Sequence, residues 1–135
     1  MSSANLELVR SIYAAWERGD FASTDWADPE IEMVGVSDLL PTSVTGVDQL
    51  ARSWSEAINA YEDYSVEAEE FRVIDRERVL VLAEQRGHGK ASGIPISRKG
   101  ANVFHVRDGK VVKLILYEDR GPAFTDLSLT AEAGP

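Results

Sequence analysis

Residues 102–119 read NVFHVRDGKVVKLILYED. Two apolar runs flank Arg107-Asp108-Gly109, which has the chemistry of a tight turn, so the stretch predicts a β-hairpin. An asparagine opens it and two carboxylates close it. Whether those polar groups face a buried hollow or open water depends on how the turn closes. A two-residue Asp-Gly turn pairs Arg107 with Lys110 and sets Phe104 beside Lys113. A three-residue loop, with Gly109 in a left-handed bulge position, pairs Val106 with Lys110. It then sets Phe104 beside Val112, Asn102 beside Leu114 and Arg98 beside Glu118. A one-residue slip exchanges the two faces of a strand, so the hydrophobic pattern decides. The second register gathers Phe104, Val106, Val112, Leu114 and Leu116 on one face and is preferred. Asn102 and Glu118 then lie on the apolar face. Val103, His105, Val111, Ile115 and Tyr117 lie on the other.

Upstream, NLELVRSIYAAWER at 5–18 repeats Leu6, Val9, Ile12 with Tyr13, and Trp16 at helical spacing. Asn5 is a candidate N-cap and Gly19 a candidate stop. A further helical turn is expected over 21–27, broken at Pro29, with Glu30–Val34 as a strand. Gly35, Pro41, Gly46 and several Ser/Thr mark 35–46 as a loop. A second helix spans about 47–60, with Val47, Leu50, Ala51, Trp54, Ala57 and Ile58 as its buried stripe. Strands follow at Tyr64–Ile74, Arg78–Lys90, Ile94–Val106 and Lys110–Asp119, turning at Asp75-Arg76-Glu77 and near Ala91-Ser92-Gly93. The inward face of 79–88 stays open, because the turn at 91–93 can close either way. Pro122 suits the first turn of a terminal helix ending near Leu129, and 130–135 reads as a tail. Helices followed by a meander of antiparallel strands mean α+β, with the helices covering one sheet face.

The chain has 135 residues and 44% hydrophobic side chains, enough for one domain over 1–135 with an ordinary core. It has no cysteine, which excludes thiol nucleophiles and disulfides. Its formal charge is −9, so nucleic acid and anionic membrane are not expected as partners. The densest basic run, Arg86-Gly-His-Gly-Lys90 followed by Arg98-Lys99, is short and reads as a solvated hairpin tip. The start, MSSANLELVR, lacks a basic lead and an apolar block. No apolar run approaches spanning length, and a cytoplasmic protein is expected. His88 and His105 have no companion ligands at metal-binding spacing, so no metal and no cofactor are expected.

RSIYAAWERGDFAS, ADPEIEMVG, GVDQLARSWSEAINAY, FRVIDRERVLVLAEQRGHGKASG and NVFHVRDGKVVKLILYEDR, in that order, resemble the SnoaL-like branch of the nuclear transport factor 2-like superfamily. Ketosteroid isomerase, limonene epoxide hydrolase and polyketide cyclases share that superfamily, and the likeness covers roughly residues 5–129. It implies a cystatin-like cone, a curved antiparallel sheet wrapped around N-terminal helices and enclosing an apolar pocket. It also implies a homodimer through the outer sheet face.

The resemblance implies no inherited catalytic set. The oxyanion-binding aspartic acid of the isomerases corresponds to Asn102, which can still donate a hydrogen bond. Their tyrosine corresponds to Ile12; Tyr13 is the next residue, about 100° around the helix. Their base falls near Val34. The Asp-Arg-Asp set of the epoxide hydrolases falls at Gly100, Asn102 and Leu116. The acid/base aspartate of the cyclases is comparable in place with the Tyr117-Glu118-Asp119 strand end, where the inferred face favours Glu118 over Asp119. The candidate catalytic residues are therefore Asn102 and Tyr13 as donors and Glu118 as proton carrier, a role that asks for burial. Trp16, Trp54, Phe104, Leu114 and Leu116 are the candidate pocket lining, with ordinary core packing as the competing role for the tryptophans. Asp38 is a weaker candidate at the pocket mouth. Two classes stay open: a cofactor-independent isomerase, cyclase or hydrolase-like enzyme, and a non-catalytic ligand-binding or dimer-forming accessory protein. Both take a small hydrophobic ligand.

Overall fold

The computed structural model describes residues 3–36 and 42–127. The elements are α1 (Ser3–Glu17), β1 (Ala27–Val36), β2 (Thr42–Thr45), α2 (Val47–Asn59), β3 (Tyr61–Val73), β4 (Arg78–Gly89), β5 (Pro95–Arg107), β6 (Lys110–Tyr117) and α3 (Arg120–Asp126). The six strands form one open, curved sheet in the order β2-β1-β6-β5-β4-β3. It is mixed rather than wholly antiparallel, because β1 runs parallel to β6.

The β5–β6 hairpin follows neither expected register. Asp108 and Gly109 both have positive φ, 54° and 77°. That makes the two-residue turn that Asp-Gly chemistry favours, and it pairs Arg107 with Lys110. Left uncorrected, this register would put Lys113 against Phe104. Instead β6 accommodates one extra residue, Val112, in a bulge, after which His105 faces Lys113, Phe104 faces Leu114 and Asn102 faces Leu116. The bulge reconciles turn chemistry with burial. It also corrects one face assignment: Val111 packs in the main core and Val112 does not.

Other boundaries differ for local reasons. Helix α1 begins before Asn5, whose Nδ2 donates to Arg76 O across to the β3–β4 turn at 2.7 Å. Residues 21–27 form no helical turn, and β1 already starts at Ala27. Pro29, which has no N–H to give a ladder, lies where the β1–β6 pairing is interrupted between Ala27 and Glu32. The expected 35–46 loop contains β2, which pairs with β1 from Glu32↔Thr45 to Gly35↔Thr42.

Two cores sandwich the sheet. On the concave face, Val9, Ile12, Tyr13 and Trp16 of α1 pack on Val79, Val81, Ala83, Phe104, Val106 and Leu114. On the convex face, Leu80, Leu82, Ala101, Val103 and Tyr117 pack under Ala123 and Phe124 of α3. Strand β4 thus turns Val79, Val81 and Ala83 inward. Helix α2 is attached more loosely than its pattern implied: only Leu50 is buried, while Ala51 and Ala57 are exposed.

Candidate functional site

Strand β5 alternates Arg98, Gly100, Asn102, Phe104 toward the concave face. Deep in the cone that face is filled. Tyr13 makes edge contacts with Trp16 (4.8 Å between ring centroids), Phe71 and Phe104 (both 5.8 Å), and Trp16 lies 5.1 Å from Trp54. Phe104 and Leu114 are wholly enclosed. Packing of this kind leaves no room for a guest among the three buried rings, Tyr13, Trp16 and Phe104.

The filling stops at Asn102. Beyond it, at the wide end of β4, β5 and β6, lies a half-open hollow of about 290 Å³. Asn102, Leu116, Arg98, Glu118, Gln85 and Gly100 are among its lining residues. Gly100 contributes by having no side chain: a Cβ there would stand 2.5 Å from Tyr117 O. The absent side chain lets the end of β6 close in on β5.

Asn102 is 8% exposed, and a buried amide needs partners. Its Nδ2 donates to Tyr13 Oη at 2.5 Å. Among the described residues its Oδ1 has no partner. The enclosed, unpartnered side-chain atoms there are Trp54 Nε1 and Arg72 Nη1, so Asn102 Oδ1 opens toward the hollow. An amide keeps its shape when its ends are exchanged by half a turn of χ2. With Nδ2 on Tyr13, Asn102 offers the hollow an acceptor. With Oδ1 accepting from the Tyr13 hydroxyl, it offers a donor. Tyr13 thus holds the amide in place in either sense. Burial pushes the Tyr13 hydroxyl well above the ordinary tyrosine range, and the hydrogen bond from Asn102 offsets only part of that. The phenol is neutral and serves as a hydrogen-bonding group.

At the hollow's rim Arg98 Nη2 lies 3.4 Å from Glu118 Oε1. The Glu118 side chain is 34% exposed, so the burial asked of a proton carrier is not met here. The hollow is followed by a narrow crevice that shares Gln85 and Arg98 with it and is bounded by Tyr61, Tyr64 and Ile96. Burial, and secondarily the neighbouring Tyr61, push the Tyr64 hydroxyl up to about 12.

Of the residues singled out from sequence, the fold brings Asn102, Tyr13, Glu118 and Leu116 to this place. Tyr13, not Ile12, is the α1 residue that reaches Asn102. Trp16 and Trp54 border other depressions, one beside Trp26 and Lys110 and one between α2 and Phe21. Asp38 lies outside the described residues. His88 is exposed at a hairpin end, 4.0 Å from Asp63. His105 faces outward, and burial followed by Lys113 and Arg78 lowers its pKa. Among the described residues no three His, Asp or Glu side chains converge as metal ligands. No helix among them is long and apolar enough to cross a membrane. Sequence reasoning missed Gln85 and Ala83, which followed once the inward face of β4 was settled.

The family model of the SnoaL-like domain matches residues 9–114. The chain belongs to the SnoaL-like domain family. No curated protein matches it. Among solved structures, this SnoaL-like domain is similar to a Jannaschia protein that carries the provisional name SnoaL-like polyketide cyclase. The TM-score is 0.75 at 19% identity, over 98% of this chain and 94% of that one. It is similar to a nuclear transport factor 2-like protein of unknown function from Burkholderia pseudomallei, with TM-score 0.74 at 19% identity, over 91% and 96% of the two chains. A third is a Catenulispora acidiphila protein with a ketosteroid isomerase-like fold, in complex with trimethylamine. Its TM-score is 0.70 at 17% identity, over 96% and 98%. At such identities the likeness establishes the fold, which is ketosteroid isomerase-like α+β.

Proposed function

We propose that this SnoaL-like domain binds a small, largely apolar molecule in the hollow at the open end of the sheet, with Asn102 as the group that orients it. The observation that carries this is the Asn102 amide, buried, tied at one end to Tyr13 and, among the described residues, without a partner at the other. Buried polar atoms take a partner from protein, ordered water or a ligand, and the free end of this amide lies where a ligand in the hollow meets it. A hollow of about 290 Å³ lies at the small end of ligand sites, which run from about 300 to 1,000 Å³. Its occupant is therefore a mono- or bicyclic molecule, or one part of a larger one. The test is a thermal-shift screen with a panel of hydrophobic metabolites, repeated on Asn102→Ala. Binders that stabilise the native protein should lose most of their effect on the variant. A full set of binders indifferent to the substitution would remove Asn102 from the site.

A second reading adds chemistry. Glu118 borders the same hollow as Asn102, which is the pairing a cofactor-free proton transfer needs: a carboxylate to move the proton and an amide N–H to hold the developing oxyanion. Isomerisation or ring closure of the polyketide-cyclase kind fits that pair. Glu118→Gln would then abolish turnover without weakening binding. A second copy of the chain on the convex face would meet what α3 leaves open, around His105 and Ile115, and sedimentation equilibrium tests for it.

A further inference from the structure

We infer that the occupant of this hollow is an organic anion: a flat, mostly apolar molecule whose acidic oxygen, as carboxylate, enolate or phenolate, is taken by Arg98. The inference rests on the binding function proposed above.

Five arginines stand on the sheet. Four of them, Arg72, Arg78, Arg86 and Arg107, each donate a hydrogen bond to a nearby carboxylate. Arg98 does not. Among the described residues its only ionic neighbour is Glu118, at 3.4 Å and without hydrogen-bond geometry. A guanidinium carries five N–H donors in a planar fork shaped for an oxyanion, and among the described residues Arg98 commits none of them to a hydrogen bond, only to the ion pair with Glu118. Its side chain is 43% exposed, and among the described residues it is the one cationic group lining the hollow. Arg98 also pairs across the ladder with Gln85. These two form the boundary between the amide-floored hollow and the tyrosine crevice, where Tyr61 and Tyr64 stack at 5.9 Å between centroids. A flat ring resting in the hollow, which offers about 290 Å³, places its acidic substituent on Arg98 and a second oxygen toward Asn102. A chain of net charge −9 repels anions over most of its surface. Uptake of one here therefore depends on a local cation. The nearby Arg86 and Arg120 each donate a hydrogen bond to a carboxylate, whereas Arg98, which lines the hollow, donates none among the described residues. Glu118 competes with the ligand for it.

The test compares matched pairs by calorimetry at one ionic strength: 2-naphthoate with 2-naphthamide, and 2-hydroxy-1,4-naphthoquinone with its methyl ether. The two pairs separate a carboxylate from an enolate source. In at least one pair the anion should bind about tenfold tighter than its neutral partner, the size of one partly exposed charge-assisted contact. Arg98→Gln should bring the two level by weakening the anion alone, and Glu118→Gln should tighten the anion. Neutral partners binding as well as the anions, or a preference that survives Arg98→Gln, overturn the inference. So does silence from all four compounds while neutral metabolites still bind in an Asn102-dependent way, and in that case the binding function stands. If no small molecule of any kind binds, the proposed function falls with it.

Discussion

Replacing Asn102 by valine should destabilise the protein by more than removing the hydroxyl it serves. Tyr13 is 1% exposed and its Oη has Asn102 Nδ2 as its hydrogen-bond partner at 2.5 Å. Valine suits the strand and keeps the space filled, so water does not replace the amide and the phenol is stranded. An orphaned buried polar group costs about 1–3 kcal/mol. Tyr13→Phe removes the hydroxyl instead. The amide it leaves behind borders the open hollow and turns to water, so the loss is near the low end of a net hydrogen bond, about 0.5–1 kcal/mol. In the double variant nothing polar is stranded, and the cost should fall below that of Asn102→Val alone. Urea unfolding followed by tryptophan emission measures all four proteins, with Trp16 close to Tyr13 as reporter. The coupling should be about 1–2 kcal/mol. Tyr13→Phe costing as much as Asn102→Val, or losses that simply add, would refute the picture of an amide held by the phenol and open on its other side.

Hydrogen bonds from Arg86 and then Ser97 hold the Glu84 carboxyl down at about 2, against an ordinary value of 4.5. A lowered carboxyl pKa contributes stability above 4.5 that is lost as pH falls toward 2; urea midpoints across that window should drop further for the native protein than for Glu84→Gln. Burial, and then the hydrogen bond to Asp126, push the Tyr117 hydroxyl up to about 12 from 10.0. The sign is opposite: its contribution is intact below 10 and lost as pH rises toward 12, so Tyr117→Phe should flatten the alkaline limb of the melting profile. Gly100→Ala puts a methyl group against Tyr117 O, a backbone atom that yields only if the end of β6 moves. A loss of about 1–3 kcal/mol is expected, together with weakened binding in the hollow, both measurable by urea titration with and without ligand.

The inward placement of Asn102 was legible because β5 carries its own alternation, Asn102-Phe104-Val106. The register of β6 was misjudged by two residues at Phe104, which faces Leu114 rather than Val112. An even slip preserves faces, so Asn102 and Leu116 keep the same side of the sheet. The bulge itself was not legible. Asp-Gly chemistry and the hydrophobic pattern each pointed to a different hairpin, and a chain that satisfies both is not among the regular choices. The aromatic residues misled in another way. Trp16, Phe104 and Leu114 have the apolar character of pocket walls, but their mutual packing fills the cone, and composition does not distinguish walls from filling. The strand β2 was hidden in Ser/Thr-rich sequence, because a four-residue edge strand needs only backbone pairing with β1. The hollow itself is made largely by absences, such as the missing side chain of Gly100, which hydrophobic patterns do not register.

The side-chain amide and guanidinium resonances of the ¹⁵N-labelled protein give the most direct reading of the hollow. During titration with a compound that raises the melting temperature, the Asn102 and Gln85 amides and Arg98 Nε should shift together and saturate with one dissociation constant. Shifts confined to the Trp54 indole and the Asn59 amide, beside the α2 groove, with Asn102 unmoved, would place the ligand elsewhere.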